Sequence, residues 1–171
     1  FNEFHIGHLM SNAIGEAIAR LFDVSGAEVK RANYQGDVGL HVAKAIYGMR
    51  HRKFSAILQQ YFGSSESRAH AMGAAYAFGS REYERAPAIA AEINAINKEI
   101  YENNNPFAPI HGIYRMGRQW SMDYFDAMYE RLGTAFDFYF FESESAPAGK
   151  KVVEEGLAKN IFETGEGGAV I

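Results

Sequence analysis

The sequence predicts an α/β fold in which a largely helical insertion interrupts a core built on a parallel sheet. A helix, a strand, a loop and a second helix follow one another within about forty residues at the start of the chain, an alternation typical of parallel sheets. A second segment with strand character, at 135–143, is rich in aromatic residues. Between these parts, residues 52–105 carry helical patterns. Ligands of such sheets bind at the carboxyl ends of the strands, so the loop 33–39 is expected to face a site.

The first helix is predicted from apolar residues that recur at helical spacing from His8 to Phe22. They form one stripe, made of Leu9, Ala13, Ile14, Ala17, Ile18, Leu21 and Phe22. The helix is expected to end before Ser25 and Gly26, because glycine suits the left-handed cap that closes many helices.

A strand and a second helix follow the first helix. AEVKRANY (27–34) predicts a short strand that runs into a turn at 35–37, and VGLHVAKAIYGM (38–49) predicts the helix. In the insertion the clearest helical pattern follows Pro87 and consists of Ile89, Ile93, Ile96 and Ile100. ENNNP (102–106) is expected to close this segment.

An aromatic helix is predicted after the insertion, in RQWSMDYFDAMYERLG (118–133), with Gly133 as its cap. The side chains expected to face inward are Trp120, Tyr124 or Phe125, Met128 and Leu132. AFDFYFFES (135–143) then predicts a buried strand, and KKVVEEGLAKN (150–160) predicts a further helix.

The chain divides into three parts on this interpretation. Residues 1–51 form the first part of the core, residues 52–117 the helical insertion, and residues 118–171 the continuation of the core. The last part ends in IFETGEGGAVI (161–171), which predicts the start of a hairpin or connecting insertion that turns on Gly165 to Gly168. Because the first helix has no strand in front of it, we expect the core to be incomplete at both ends.

Composition excludes several classes of protein. The 171 residues, 47% hydrophobic and 22% charged, fit one domain or a large piece of one. Cysteine is absent, which excludes disulfides, thiolate metal sites and cysteine nucleophiles. The net charge of -4, with scattered lysines and arginines, contains no basic run of the kind that marks a nucleic-acid tail. No apolar run approaches the roughly 18 residues that span a bilayer, so we expect a cytoplasmic protein without a membrane partner.

Two histidines, His5 and His8, stand at the start of the first helix with Gly7 between them. Two imidazole donors, a glycine that exposes backbone and the positive end of a helix together predict an anion site suited to phosphate. The alternative is a surface helix start at which the histidines only cap the helix. A zinc site is not expected, because Glu3 is the one acidic neighbour in sequence and the other histidines are scattered.

Three blocks of sequence follow one another in the chain: HIGHLMSNAIGEAIARL, GAEVKRANYQGDVGLHVAKAIYG and WSMDYFDAMYERLGTAFDFYFFES. His5-Ile6-Gly7-His8 matches the HIGH signature of class I aminoacyl-tRNA synthetases, and the ordered blocks resemble those of arginyl-tRNA synthetase. The resemblance covers nearly the whole chain. It implies a Rossmann-like nucleotide-binding core of the HIGH superfamily, which activates L-arginine with ATP and Mg²⁺ and passes the arginyl group to tRNA(Arg).

The resemblance also implies roles for particular residues. His5 and His8 would stabilise the α-phosphate in the transition state, and His5, Gly7 and His8 would bind ATP, with adenine close to Gly7. His8 would also approach the arginine, and Glu142 in the E-S block would bind its guanidinium. The four residues that match the loop facing the site would shape it without taking part in catalysis; they are Asn33, Gly36, Asp37 and Gly39.

Other parts of the family pattern have no counterpart in residues 1–171. The resemblance puts the strand that precedes HIGH before Phe1, and the K-M-S-K-S loop and anticodon-binding domain beyond Ile171. We therefore expect the 171 residues alone not to activate arginine. The family also implies a monomer.

Two other interpretations stay open. The first is another HIGH-superfamily synthetase or a small adenylyltransferase, although the latter needs no long insertion and a cysteine-specific synthetase would carry zinc-binding cysteines. The second is a non-catalytic interaction module that keeps the synthetase scaffold.

Two aromatic residues of the predicted helix 118–133, Trp120 and Tyr124, are expected to be core residues and not ligand contacts.

Overall fold

The computed structural model describes residues 3–51, 63–102, 105–165 and 170. Within them the chain forms helices and strands in the order α1 (Ile6–Val24), β1 (Ala32–Gln35), α2 (Leu40–Arg50), α3 (Ser65–Arg85), α4 (Pro87–Glu102), α5 (Pro109–Leu132), β2 (Phe138–Phe141) and α6 (Glu142–Ala158). The described part is therefore mostly helical.

The two strands pair in parallel, as the alternation of elements predicts. Ala32 lies opposite Phe138 and Gln35 opposite Phe141. Both strands are shorter than the sequence patterns indicate, and β1 begins only at Ala32. The prediction that the second strand is buried is wrong for the described residues: Phe138 and Phe140 are 49% and 51% exposed. The described sheet has two strands, and these side chains on it stay about half exposed.

The hydrophobic core lies among helices α2 to α5. Its buried members are Val38, Val42, Ala43, Ala45, Ile46, Met49, Ala71, Met72, Ala75, Ile93, Ile96, Ile100 and Trp120. Of the isoleucines that predict helix α4, Ile93, Ile96 and Ile100 are core residues, and Ile89 is partly buried against the core. Gly48 on α2 and Gly79 on α3 let these helices touch, because a Cβ at Gly48 would collide with the Ala75 carbonyl and a Cβ at Gly79 with the Lys44 carbonyl.

Helix α1 confirms the first predicted helix, but its apolar stripe is not buried. No residue of α1 is buried in the described structure, and Ile14 and Ile18 are each 50% exposed. Polar contacts attach the helix instead. Glu16 of α1 pairs with Arg31 at 3.0 Å, and Asn12 donates to the Thr134 hydroxyl at 2.9 Å.

Helix α5 begins at Pro109, well before the predicted start, and runs across the predicted boundary between 117 and 118. Proline is tolerated at the first position of a helix, where its missing N–H leaves no bond unmade. The helix ends at Gly133 in the left-handed conformation with φ 66°, which confirms the predicted cap. Of the alternatives Tyr124 and Phe125, Phe125 is the buried one, and Leu132 is exposed.

Helix α6 also starts earlier than predicted, at Glu142 directly after β2, and contains Pro147. The E-S block therefore belongs to the first turn of a helix. In the predicted hairpin, Thr164 forms an antiparallel bridge with Val170, while residues 166–169 of its turn lie outside the described residues. Residues 52–62 of the predicted insertion also lie outside them.

Candidate functional site

The two histidines of the H-I-G-H motif form the beginning of helix α1. His5 is the N-cap residue, and its Nδ1 accepts a hydrogen bond from the Gly7 N–H at 3.1 Å. Nδ1 of His8 accepts from the His5 N–H at 3.3 Å, so each imidazole satisfies a backbone donor that the helix start leaves free. The two rings stack with their centroids 3.8 Å apart.

These hydrogen bonds decide which ring nitrogen carries the proton. A neutral imidazole has one donor and one acceptor nitrogen, so rings that accept at Nδ1 carry their proton on Nε2. Burial lowers the pKa of His8, and the nearby His5 lowers it further. The lowered pKa favours the neutral form of His8, and a neutral ring that accepts at Nδ1 has an Nε2–H that can donate.

Gly7 has a local function that the sequence does not reveal. A Cβ at this position would lie 2.9 Å from Cε1 and 3.1 Å from Nδ1 of His5. The missing side chain thus leaves room for the His5 ring to fold back onto the helix start.

A cavity of about 470 Å³ lies between α1 and β1 and includes His8 in its lining. Asn33 of β1 and Asn12 of α1 also line it. Asn33 Nδ2 and Asn12 Oδ1 are buried atoms with no hydrogen-bond partner in the described part of the chain. Of the predicted loop residues, Asn33 is therefore the one on the histidine side.

Asp37, in the loop after β1, connects helices α5 and α6 at the carboxyl end of the sheet and is only 6% exposed. Its Oδ1 accepts from the Ser143 N–H at 2.8 Å, and its Oδ2 accepts from the Ser143 hydroxyl at 2.7 Å. Oδ2 also accepts from the Tyr114 hydroxyl at 2.8 Å and lies 3.2 Å from Nε of Arg118. Burial, followed by this hydrogen bond to Asp37, raises the pKa of Tyr114 to about 12.

Glu142 lies beside the same loop. A Cβ at Gly36 would lie 3.5 Å from Glu142 Oε2, and Gly36 O is 3.4 Å from Nε2 of His41. Partial burial raises the pKa of Tyr101, and the charge of Glu142 raises it further. The Glu142 carboxylate thus faces Gly36 and is near His41 and Tyr101.

Gly39, at the end of the same loop, is the N-cap of α2 with φ 116°, a conformation that glycine adopts without strain.

Phe125 lies between the histidine pair and the Asp37 loop. Its ring centroid is 5.6 Å from that of His8, and it shares a cavity of about 50 Å³ with Gly36 and Asp37. The structure therefore brings Gly36, Asp37 and Glu142 together on one side of Phe125 and leaves His5 and His8 on the other.

The sequence did not point to several residues that complete the cluster around Asp37 and Glu142. Tyr114 and Arg118 come from helix α5, and Tyr101 comes from helix α4. No local motif marks them. His41 had one signal, its position two residues after the glycine that ends the loop. Trp120 is buried beneath the Arg68 guanidinium, as expected of a core residue.

A cavity of about 700 Å³ lies between α4, α5 and the start of α6, next to Ser143 and Tyr114. His111 on its wall is 3% exposed, and Nε2 of His111 lies 3.4 Å from Glu99 Oε1. Across the described ranges, no three His, Cys, Asp or Glu side chains are grouped so that they could hold a metal ion. Of the helices in the described residues, none is both long and apolar enough to cross a membrane.

The H-I-G-H motif at the start of α1 matches the signature on which the resemblance to class I tRNA synthetases rests, and a comparison of the whole sequence points to the same family. The chain belongs to this family, because the model described as "tRNA synthetases class I (R), catalytic domain" matches residues 1–171. Within the class the match is to the arginyl branch, which confirms the resemblance seen in the sequence.

The similar curated proteins carry the name arginine–tRNA ligase. That of Amoebophilus asiaticus is 26% identical over 179 residues, which cover 97% of this chain and 30% of that protein. That of Treponema pallidum subsp. pallidum is 28% identical over 165 residues, which cover 92% of this chain and 26% of that protein. The chain thus spans less than a third of the length of these relatives.

Proposed function

We propose that the chain is part of an arginine–tRNA ligase, which uses ATP to convert L-arginine to arginyl-adenylate and then transfers the arginyl group to tRNA(Arg). The observation that carries the proposal is the H-I-G-H motif, in which both imidazoles accept a backbone N–H at Nδ1, so that the proton of a neutral ring lies on Nε2. The names of the relatives support arginine as the amino acid.

In the first step, a carboxylate oxygen of arginine attacks the α-phosphorus of ATP, which is bound with Mg²⁺. A new P–O bond forms and pyrophosphate leaves with the bonding electrons. Negative charge builds up on the α-phosphate oxygens, and His5 and His8 donate hydrogen bonds to them from Nε2. Because these donors are fixed by backbone contacts, no reorganisation is needed when the charge develops.

Arginine requires a partner for its guanidinium. A carboxylate is matched to this cation in charge and in planar geometry. Glu142 is the proposed partner because its carboxylate lies beside Gly36, where the absent side chain leaves space for a substrate. Gly36, Asp37 and Gly39 shape this side of the site, and Asn33 shapes the side next to His8.

In the second step, a ribose hydroxyl at the end of tRNA(Arg) attacks the carbonyl carbon of arginyl-adenylate. The new ester bond forms as the bond to AMP breaks, AMP leaves with the bonding electrons, and the hydroxyl proton passes to the departing phosphate.

The test is arginine-dependent exchange of pyrophosphate into ATP, with and without tRNA(Arg). The protein is the 171 residues joined to the remaining sequence of the ligase. We expect exchange with arginine, and no exchange by the 171 residues alone. Exchange with a different amino acid would retain the synthetase chemistry and overturn the substrate. Silence with every amino acid would favour a non-catalytic module.

His8→Asn is a sharp variant for the histidine role. The Asn side-chain oxygen can replace Nδ1 as the acceptor for the His5 N–H, so the helix start is kept, while the Nε2 donor is lost. Loss of one such donor lowers kcat by about 10²- to 10³-fold in other enzymes, and we expect an effect of this order. Unchanged exchange in His8→Asn would contradict the assigned donor role.

A further inference from the structure

Helix α6 begins without a cap from its own neighbourhood. Its N-cap residue is Phe141, whose side chain forms no capping hydrogen bond. The first backbone N–H groups of a helix have no partner within the helix and need one from elsewhere. Asp37 supplies one, because its Oδ1 accepts from the N–H of Ser143, the second residue of α6. The cap therefore comes from a loop 106 positions away in sequence.

The chemistry of Asp37 suits this cap. The Ser143 amide, the Ser143 hydroxyl, the Tyr114 hydroxyl and the Arg118 guanidinium all direct N–H or O–H groups at it. An ionised carboxylate only accepts, so it can satisfy every one of these donors, whereas an amide cannot. Its negative charge is also favourable at the positive end of a helix.

Ser143, whose backbone N–H is bound by Asp37, directly follows Glu142 in the chain. Glu142 is the first residue of α6, directly before Ser143, and Gly36 directly precedes Asp37. The Glu142 carboxylate thus lies on the side of Gly36 where a side chain would be, and the Ser143 N–H donates to Asp37. A shift of the Ser143 backbone would displace the carboxylate of Glu142.

We propose that Asp37 is a positioning residue for the arginine site, which holds the Glu142 carboxylate in place by capping helix α6 through Ser143. The inference rests on the proposed function, in which Glu142 binds the guanidinium. His5 and His8 are held by their own reciprocal caps at α1. Loss of the Asp37 carboxylate therefore weakens the binding of arginine and leaves that of ATP unchanged.

The experiment compares Asp37→Asn with its parent, the 171 residues joined to the remaining ligase sequence, in pyrophosphate exchange with tRNA(Arg) present. We expect the KM for arginine to rise about tenfold, which corresponds to about 1.4 kcal/mol. The KM for ATP should stay within twofold. Ser143→Ala removes the hydroxyl and keeps the amide, so we expect a smaller rise of about threefold.

Asp126→Asn is the matched control, since Asp126 also accepts from a tyrosine, at 3.2 Å from the Tyr139 hydroxyl, but is exposed. It should change neither KM. Thermal unfolding followed by circular dichroism reports whether each variant folds. If Asp37→Asn does not fold, the Ser143→Ala result decides.

The outcomes separate this inference from the proposed function. An increase in the KM for arginine in Glu142→Gln, without such an increase in Asp37→Asn or Ser143→Ala, would retain the proposed function and overturn the positioning role. Equal increases of both KM values in Asp37→Asn would also overturn it, because they indicate a general structural role. A parent protein without arginine-dependent exchange would overturn both proposals.

Discussion

The helical region α2 to α5 and the region formed by α1, β1, β2 and α6 are stabilised in different ways. In the helical region Val42, Ile46 and Ile93 are fully buried. In the second region α1 buries no residue within the described structure, and Phe140 of β2 is half exposed. Both histidines of the motif and Glu142 belong to this second region.

Most of the apolar burial therefore lies in one region and most of the predicted site residues lie in the other, although Tyr114 and Arg118 of α5 bind Asp37. In the helical region, close packing fixes the arrangement of the helices. In the site region, individual polar contacts fix it: Arg31 with Glu16, Asn12 with Thr134, and Asp37 with Ser143. Substitutions in the two regions should therefore differ in size and in what they change.

The largest effect is expected at the contact between α2 and α3. Gly48→Ala forces a Cβ against the Ala75 carbonyl, which is backbone and cannot move aside without moving helix α3. Overpacking of this kind costs about 1–3 kcal/mol or more, and we expect a loss of at least about 2 kcal/mol in the free energy of unfolding. Urea unfolding followed by circular dichroism measures it.

Gly112→Ala is the control for that prediction. Gly112 lies within helix α5, and a Cβ there would meet nothing within 4 Å. Alanine is favoured over glycine inside helices, so this variant should be about 0.5–1 kcal/mol more stable. A loss of similar size in both variants would contradict the claim that helix contact decides the effect.

A smaller effect is expected where α1 is attached. Glu16 accepts from Arg20 at 2.8 Å and from Arg31 at 3.0 Å. Glu16→Gln removes its charge, and ion pairs near the surface contribute about 1 kcal/mol or less, so global stability should fall by no more than that. Amide hydrogen exchange should accelerate in α1 and not in α2 or α4. Equal acceleration in all three helices would contradict the separation of the two regions.

The smallest effect is a dependence of stability on pH that comes from the site histidines. Burial lowers the pKa of His8 and of His41 below the usual 6.5. Below pH 6.5 the unfolded chain therefore binds protons more readily than the folded chain, and the free energy of unfolding decreases as the pH falls toward the folded-state values. His41→Gln should flatten this decrease in urea unfolding at pH 5.5 and 7.5. An unchanged slope would show that His41 does not contribute.

Local sequence patterns predicted much of the fold. The isoleucine spacing predicts α4, the apolar stripe predicts α1, and Gly133 marks the end of α5. The start of α6 was missed because Glu142 has no capping side chain before it. The burial of β2 was predicted wrongly, because aromatic content indicates a strand but does not indicate what covers it.

The sequence by itself determined helices α1 and α4, the end of α5, the parallel strand pair and the family of the chain, because each depends on spacing or motifs within short segments. Only the tertiary structure decided that His5 and His8 accept backbone N–H groups at Nδ1 and that Asp37 caps α6. Tyr114, Arg118 and Ser143 meet Asp37 from positions 77 to 106 residues away. A backbone hydrogen bond within a helix joins residues four apart and leaves a periodic pattern in the sequence, whereas contacts at such separations leave none.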